Sequence, residues 1–415
     1  MIRYLTAGES HGEALIGIVE GVPAGVPLTA QYVNGHLARR WLGFGRGGRA
    51  KFETDLVHIY SGVRFSETMG SPIALRLDNA AYTRDRSSWP EVMAVEGTGE
   101  GVEPVLLPRP GHADLTGAQK YGFDDIRPVI DRSSARETAM RVACCSVARR
   151  LLAELGIFVG SHVVRIGEVG YETGSHGEPG WRPLVDEILG DAEQINDLAD
   201  RSEVRMLSSE LSAACVEHIK AVKKEGDSLG GVYEVVVTGV PPGLGSYVQW
   251  DRRLDGQLAQ AIMSIQAQKA VEIGDGVAAA SERGSRVHDP IRAEQSGRSG
   301  STGSGSGSKG SSGRVFSRTQ NRAGGIEGGM SNGMPIIVRG YMKPIPTLIK
   351  PLGTAHLLTG EEQPTRYERS DVTSVPAGST VAEAVVAHVL ANAVLEKFGG
   401  DSLAELRARV EAVRQ

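Results

Sequence analysis

Two histidines in this chain stand where an imidazole can do chemistry, and arginines recur close to both. His112 lies in the run Arg109-Pro110-Gly111-His112-Ala113-Asp114, where a stiff Pro-Gly turn sets a permanent cation and a titratable ring on one short loop. His11 is at the apex of Gly8-Glu9-Ser10-His11-Gly12-Glu13, between glycines that permit close approach of a ligand. A histidine there can equally serve only to hydrogen-bond a turn. In Asp131-Arg132-Ser133-Ser134-Ala135-Arg136-Glu137-Thr138, Ser134 and Glu137 have the spacing of a capping box for a helix beginning at Ala135. The free N–H groups and dipole of such a helix start, flanked by Arg132 and Arg136, form a receptor for phosphate or carboxylate. The box by itself is only a cap; the arginines are what a cap does not need.

More cations follow the same logic. Arg39, Arg40, Arg46, Arg49 and Lys51 fall within thirteen residues, spanning the end of a helix and the loop Leu42-Gly43-Phe44-Gly45-Arg46-Gly47-Gly48-Arg49. Pairing with the helix dipole accounts for Arg39 and Arg40. Arg46 and Arg49, among glycines, suggest a mobile loop closing on an anion. This loop has neither a Walker-type ending nor the strand that precedes a dinucleotide fingerprint. Later, Lys343-Pro344-Ile345-Pro346-Thr347 holds Lys343 and Thr347 in fixed directions on an extended backbone, although a plain rigid linker reads the same way. Glu368-Arg369-Ser370-Asp371 adds a late carboxylate, which on a strand would also suit a surface Arg369/Asp371 ion pair. There is no HExxH, no serine-triad motif and no cysteine metal set. The inventory points to proton transfer around a small, multiply anionic substrate, with histidines as acids or bases and arginines as clamps.

The elements that must position these groups are legible from periodicity. Ile2–Ala7, Ala14–Glu20, Asp55–Ser61, Pro72–Asp78, Ile157–Ile166, Val232–Val240 and Pro335–Gly340 read as strands, as do 266–274 towards their end and Val372–Val375. Helices are predicted over Thr29–Trp41, Ala135–Leu155, Leu184–Ala199, Ser208–Lys224 and Leu254–Ile265. Two more are Val381–Phe398, capped by Thr380 and Glu383, and a final helix capped by Ser402 and Glu405. The last carries Leu403, Leu406, Val410 and Val413 on one side, for core or for a subunit contact. Residues 79–101 read as surface loop with a short helix, and Asn321–Gly333 is too glycine-rich for a regular element. The Gly/Ser tract 296–313 is expected to be a disordered surface insertion within one domain spanning 1–415. The order of elements fits α+β and not a regular βαβ repeat.

With 415 residues the chain buries a core without staples, and its three cysteines, Cys144, Cys145 and Cys215, have no framework or metal spacing. Buried reduced thiols and the lack of a leader-like first segment fit a cytoplasmic protein. A net charge of −5 argues against a general binder of nucleic acid or anionic membrane, and no long uncharged apolar segment suggests a span. Glycine, 54 residues, is about twice the ~7% of average usage, so tight turns and close backbone approaches are expected.

Six motifs taken together, GESHGE (Gly8–Glu13), RPGHAD (Arg109–Asp114), DRSSARET (Asp131–Thr138), AGGIEGGMSNG (Ala323–Gly333), MKPIPT (Met342–Thr347) and ERSDV (Glu368–Val372), resemble the chorismate synthase family in its own order. The tract 296–313 departs from the family, which usually shortens it. The resemblance implies a layered β-α-β sandwich, with antiparallel sheets enclosing long helices, assembled as a homotetramer. It also implies an anti-1,4-elimination of phosphate from 5-enolpyruvylshikimate 3-phosphate that needs reduced FMN, whose electron density would assist C–O cleavage before returning. Carried over by position, His11 resembles the donor to the leaving phosphate and His112 the residue that protonates reduced flavin. Asp371 resembles the carboxylate that helps flavin N5 accept a proton. Arg40, Arg46, Arg49, Arg109 and Arg136 match substrate-region arginines, with Arg40 and Arg46 also possible NADP contacts. Arg132, Ser133, Ser134, Gln266, Ala267, Gly328, Lys343, Pro344, Ile345, Pro346, Thr347 and Arg369 match FMN positions. Whether NADPH reduces the flavin on this protein or a separate flavin reductase supplies it stays open. So do two other classes: an FMN/NADPH-dependent oxidoreductase acting on a small anion, and a non-catalytic anion-binding protein.

Overall fold

Alternation along the N-terminal strands builds a sheet with one buried face. Its strands are β1 (Arg3–Ala7), β2 (Ala14–Glu20), β3 (Val57–Ile59) and β4 (Ile73–Asp78), arranged β1-β2-β4-β3 with every pairing antiparallel. Leu15, Gly17 and Val19 of β2 and Ile73, Leu75 and Leu77 of β4 face inward, while Ile16, Ile18 and Glu20 face out. Gly17 is required by close packing: a Cβ there would stand 2.5 Å from Cys144 Sγ and 2.6 Å from Met140 Sδ. The computed structural model describes residues 1–45, 54–84, 89–171, 190–295, 308–309, 314–365 and 371–414.

A second antiparallel sheet is made by β5 (Phe158–Ile166), β6 (Gly231–Thr238), β7 (Gln268–Ile273) and β8 (Ile336–Met342), ordered β7-β8-β6-β5, with Val169–Gly170 at its edge. Its central strand, Val232–Thr238, is buried on both faces, as its near-continuous β-branched run suggests. Between the sheets lie α1 (Ala30–Arg40), α2 (Glu137–Glu154), α3 (Leu254–Met263) and α4 (Val375–Phe398). α2 rests on β1 and β2, α4 on β5 and β6, and the two helices pack on each other. The result is a β-α-β sandwich of α+β class whose main core runs from Ile2 to Val410. All three cysteines are buried and free.

Four readings of the sequence are corrected by the structure. Asn321–Gly333 contains a small hairpin, Ile326–Glu327 with Met330–Ser331, because Gly328 and Gly329 adopt φ of +58° and +83° and make its turn. Val372–Val375 is no strand: Thr373 makes one bridge to Leu229, and α4 starts at Val375 with Pro376 in its first turn. Thr380 and Glu383 therefore lie inside α4, where Thr380 Oγ1 donates to Ala377 O at 2.8 Å and Glu383 is buried. The Arg369/Asp371 pair falls on Arg369, which lies outside the described residues. The fourth correction, at Ser134 and Glu137, belongs to the site.

Other expectations fall into place. Thr29 caps α1, accepting from Tyr32 N, and Ser402 Oγ accepts from Glu405 N at 3.3 Å before the helix Leu403–Arg414. Leu403, Leu406 and Val410 join the core, while Val413 is half exposed. The helix expected from Leu184 is described over Ala192–Arg201, with Asp191 as its cap; 184–189 lie outside the described residues. So does the tract 296–313, apart from Ser308–Lys309, which pair with Val315 and Phe316. Among the described helices only α4 is long and apolar enough to cross a membrane, and 78% of its apolar window is buried against the protein itself.

Candidate functional site

The β1–β2 loop aims His11. Asn79 pins it by donating from Nδ2 to the carbonyls of Glu9 (3.0 Å) and Gly12 (2.7 Å), and Ser10 N donates to Asp131 O at 3.0 Å. The imidazole Nδ1 stands 2.5 Å from Asp131 Oδ1. A carboxylate only accepts, so Nδ1 carries the hydrogen and Nε2 is the atom left for chemistry. Asp131 is fully buried and His11 keeps about a quarter of its side chain exposed, 26%.

His112 is built on the same plan. Gly111 adopts φ +76°, which turns the chain so that His112 Nδ1 reaches Asp114 Oδ1 at 2.5 Å. Arg109 embraces the same carboxylate, with N and Nε donating to Oδ2 at 3.0 and 2.9 Å, and its NH1 donates to Thr347 Oγ1 at 3.0 Å. Burial pushes the Asp114 pKa upward, but hydrogen bonds from His112 and Arg109 and their charges outweigh it and hold the carboxyl well below its usual range. Lys343 closes the loop from the other side, donating from Nζ to Gly111 O, while its backbone N donates to Ala267 O at 2.9 Å. MKPIPT, RPGHAD and the Gln266-Ala267 pair thus meet, although they are far apart in the chain.

The expected helix start at Ser134 takes a different form. Asp131–Ser133 belong to a separate short helix, Arg127–Ser133, and α2 begins only at Glu137. Ser134 Oγ accepts from Arg136 N at 3.2 Å and donates to Ser10 Oγ at 3.2 Å. Glu137 does not reach back to the cap. Its carboxylate accepts from Thr6 Oγ1 (2.9 Å), Arg141 (3.1 Å) and Gln266 Nε2 (3.3 Å), because sheet and helix offer it nearer donors. Arg132 points along the sheet edge, donating to Thr6 O at 2.9 Å and Gly8 O at 3.2 Å. Ser133 Oγ turns inward to Val129 O at 2.6 Å.

Arg40 and Arg136 are buried beneath this surface around Asp55. Arg136 pairs with Asp55 and donates from Nε to Asn79 Oδ1 at 2.9 Å; Arg40 donates to Thr138 Oγ1 at 3.0 Å and Ala135 O at 2.9 Å. They hold the floor of the site and, through Asn79, the loop that carries His11. Gly328, at its hairpin tip, has nothing within 4 Å of where a Cβ would be. Asp371 stands beside Val372, whose N donates to Gly45 O at 3.0 Å, so α4 begins where the chain leaves α1. Arg46, Arg49 and Arg369 lie outside the described residues.

A groove of about 330 Å³ runs past Tyr4, Leu5, Thr6, Arg132, Glu137, Arg141 and Gln266. A larger one, about 530 Å³, lies between Leu28–Ala30 and Val57–Ser66, away from every motif, so size does not mark the site. Asp131 and Asp114 are site residues that the sequence alone does not assign; their signal is a carboxylate two residues after His112 and another opening the DRSSARET run. Trp89, in the stretch 79–101, has no such signal.

Two imidazoles, each fixed at Nδ1 by a buried carboxylate and ringed by guanidinium and ammonium groups, define an enzyme that moves protons next to an anion. The sandwich that carries them has relatives. A family model described as chorismate synthase matches residues 2–395. The chorismate synthase of Salinibacter ruber (strain DSM 13855 / M31) is 62% identical, covering 100% of this chain and 99% of its own length. That of Chlorobaculum tepidum (strain ATCC 49652 / DSM 12025 / NBRC 103806 / TLS) is 52% identical, covering 100% and 98%. A solved structure described as the crystal structure of chorismate synthase matches with a TM-score of 0.74 at 39% identity, covering 100% of this chain and 98% of that one. The chain belongs to the chorismate synthase family, flavin-dependent lyases of the shikimate pathway that serve aromatic amino-acid biosynthesis.

Proposed function

We propose that the chain catalyses the anti-1,4-elimination of phosphate from 5-enolpyruvylshikimate 3-phosphate, giving chorismate with reduced FMN as cofactor. The observation that carries the proposal is the pair of carboxylate-fixed imidazoles, His11 on Asp131 and His112 on Asp114, the second on a loop that Arg109 ties to Thr347 and Lys343 ties to Ala267. Arg109 binds and orients the anion, helped by Arg46 and Arg49. Arg40 and Arg136 support it from below. His11 delivers a proton from Nε2 to the departing phosphate, which leaves poorly without one. His112 holds a proton at Nε2 on the cofactor side, and Asp371 would assist removal of the proton lost from the substrate ring by helping flavin N5 accept it.

The residues suit a flavin. Gln266 Oε1 is buried with no partner among the described residues, an acceptor that a ring N–H would satisfy. Arg132, Ser133, Ser134, Ala267, Gly328, Lys343, Pro344, Ile345, Pro346, Thr347 and Arg369 complete the set that would hold FMN. When bound, reduced FMN supplies electron density to the breaking C–O bond and recovers it, leaving no net redox change. NADPH, contacted by Arg40 and Arg46, or a separate reductase keeps it reduced; a contact through Arg40 needs that guanidinium to turn from Asp55 and Thr138. The working unit is a homotetramer in the cytoplasm.

The test is anaerobic incubation with 5-enolpyruvylshikimate 3-phosphate and chemically reduced FMN, following chorismate absorbance and phosphate together. Both should appear in equal amounts with the flavin still reduced. FMN binding without either product would overturn the elimination, and product matched by NADPH consumption would indicate an oxidoreductase.

A further inference from the structure

His11 has a second neighbour that the elimination does not account for. Its imidazole lies flat against the indole of Trp89, ring centroids 3.9 Å apart and planes within 15°. Trp89 opens a four-residue helix, Trp89–Val92, in the segment before RPGHAD. The guanidinium of Arg127 sits 5.3 Å from the centre of the same indole and 3.9 Å from Asp131 Oδ2. One short helix, Arg127–Ser133, therefore supplies both the carboxylate in the plane of the imidazole and the cation that steadies its stacking partner.

We propose that Trp89 is a positioning residue for His11, holding the imidazolium face while Asp131 holds its edge, so that Nε2 has one direction in which to donate. The hydrogen bond to Asp131 fixes rotation within the ring plane but leaves the ring free to tilt about the Nδ1–Oδ1 line; a flat aromatic surface removes that tilt. Charged groups around the ring are Asp131 and Arg127 on the helix, Arg132 on the Gly8 carbonyl, and Glu9 and Glu13 on its own loop, Glu13 being paired with Arg76. The assignment rests on the reading of His11 as proton donor to phosphate.

The test joins fluorescence with kinetics on the intact protein. An imidazole in contact with an indole quenches it, so at one fixed pH emission should rise in His11→Gln, which keeps all four tryptophans, and hardly fall in Trp89→Phe, which keeps three. Trp89→Ala should lower kcat by roughly 10-fold or more with KM nearly unchanged, the scale of a misplaced reacting group, and Trp89→Phe should recover most of the loss by restoring a flat face. Unchanged emission in His11→Gln, or wild-type kcat in Trp89→Ala, would overturn the proposal. Undiminished turnover in His11→Gln together with the expected rise in emission would instead sink the proton-donor reading. The positioning role would fall with it, and only the stack would stand.

Discussion

The molecule sets buried carboxylates among basic groups in two kinds of place, with opposite outcomes. In the interior, Glu383 of α4 accepts from Arg39 at 2.6 Å, Arg205 at 3.2 Å and Ser161 Oγ at 2.5 Å, and pairs with Arg149 as well. Burial raises its pKa, but the charges of Arg39, Arg149 and Arg205 outweigh this and hold the carboxyl well below its usual range. At the rim, Asp131 and Asp114 also face cations, but each gives one oxygen to an imidazole that stays partly exposed, 26% for His11 and 17% for His112. The interior cluster has guanidinium groups and one serine hydroxyl for partners, and nowhere to send a proton. The rim clusters have a partner that can let one go. What separates scaffold from site is the titratable group and its one open side.

Breaking the interior cluster should therefore affect stability, not chemistry. Glu383→Ala strands three arginines and should cost about 3–5 kcal/mol, the usual loss when a buried pair loses one partner, read from the midpoint of chemical denaturation. Turnover per folded molecule should be unchanged. His112→Ala should do the reverse, with turnover down by roughly 10² or more and the denaturation midpoint nearly kept. Equal turnover in wild type and His112→Ala would remove His112 from the chemistry.

Acid sharpens the contrast, because two other histidines are kept neutral. Burial lowers the pKa of His388 to about 4; burial, with the charges of Arg149 and Arg39, lowers that of His36 to about 2. In the unfolded chain such rings take up a proton below about 6.5, in the folded protein only far lower, so acid favours the unfolded state across that window. Between pH 7 and pH 5 each ring should cost about 2 kcal/mol, and His388→Gln should flatten the slope of stability against pH. The smallest effect belongs to ion pairs on the surface: Arg76, a third exposed and paired with Glu13 at 2.7 Å and Asp78 at 2.6 Å on the outer sheet face, should be replaceable by alanine within ~0.5 kcal/mol.

These differences mark what the sequence could reveal. Most strands and helices were legible because they present one apolar face or, like Val232–Thr238, a near-continuous β-branched run, and both site histidines stood out because glycine and proline shape their loops. Glu383 did not. Its spacing from Thr380 imitates a capping box, and its partners Arg39, Arg149 and Arg205 lie on other elements with no local pattern to announce them. Ser134 and Glu137 show the same limit: the spacing was present, but Thr6, Arg141 and Gln266 offered Glu137 closer donors than its own helix start. Trp89 escaped because a lone aromatic in a polar stretch gives no hint of the ring it will lie against.

Lys343, which ties Gly111 to Ala267, has a consequence for the order of events in folding. The two strands of the hairpin β1–β2 can meet as soon as they exist, but the contact of Lys343 with Gly111 spans 232 positions and that of Arg109 with Thr347 spans 238. Closing such long loops is slow, because their entropy is lost before the contact returns anything. On the ribosome the His112 loop must wait for MKPIPT to emerge, long after its own residues have been made. The site is thus among the last parts of the molecule to take shape, and a chain stopped short of Lys343 would lack the strap that closes it.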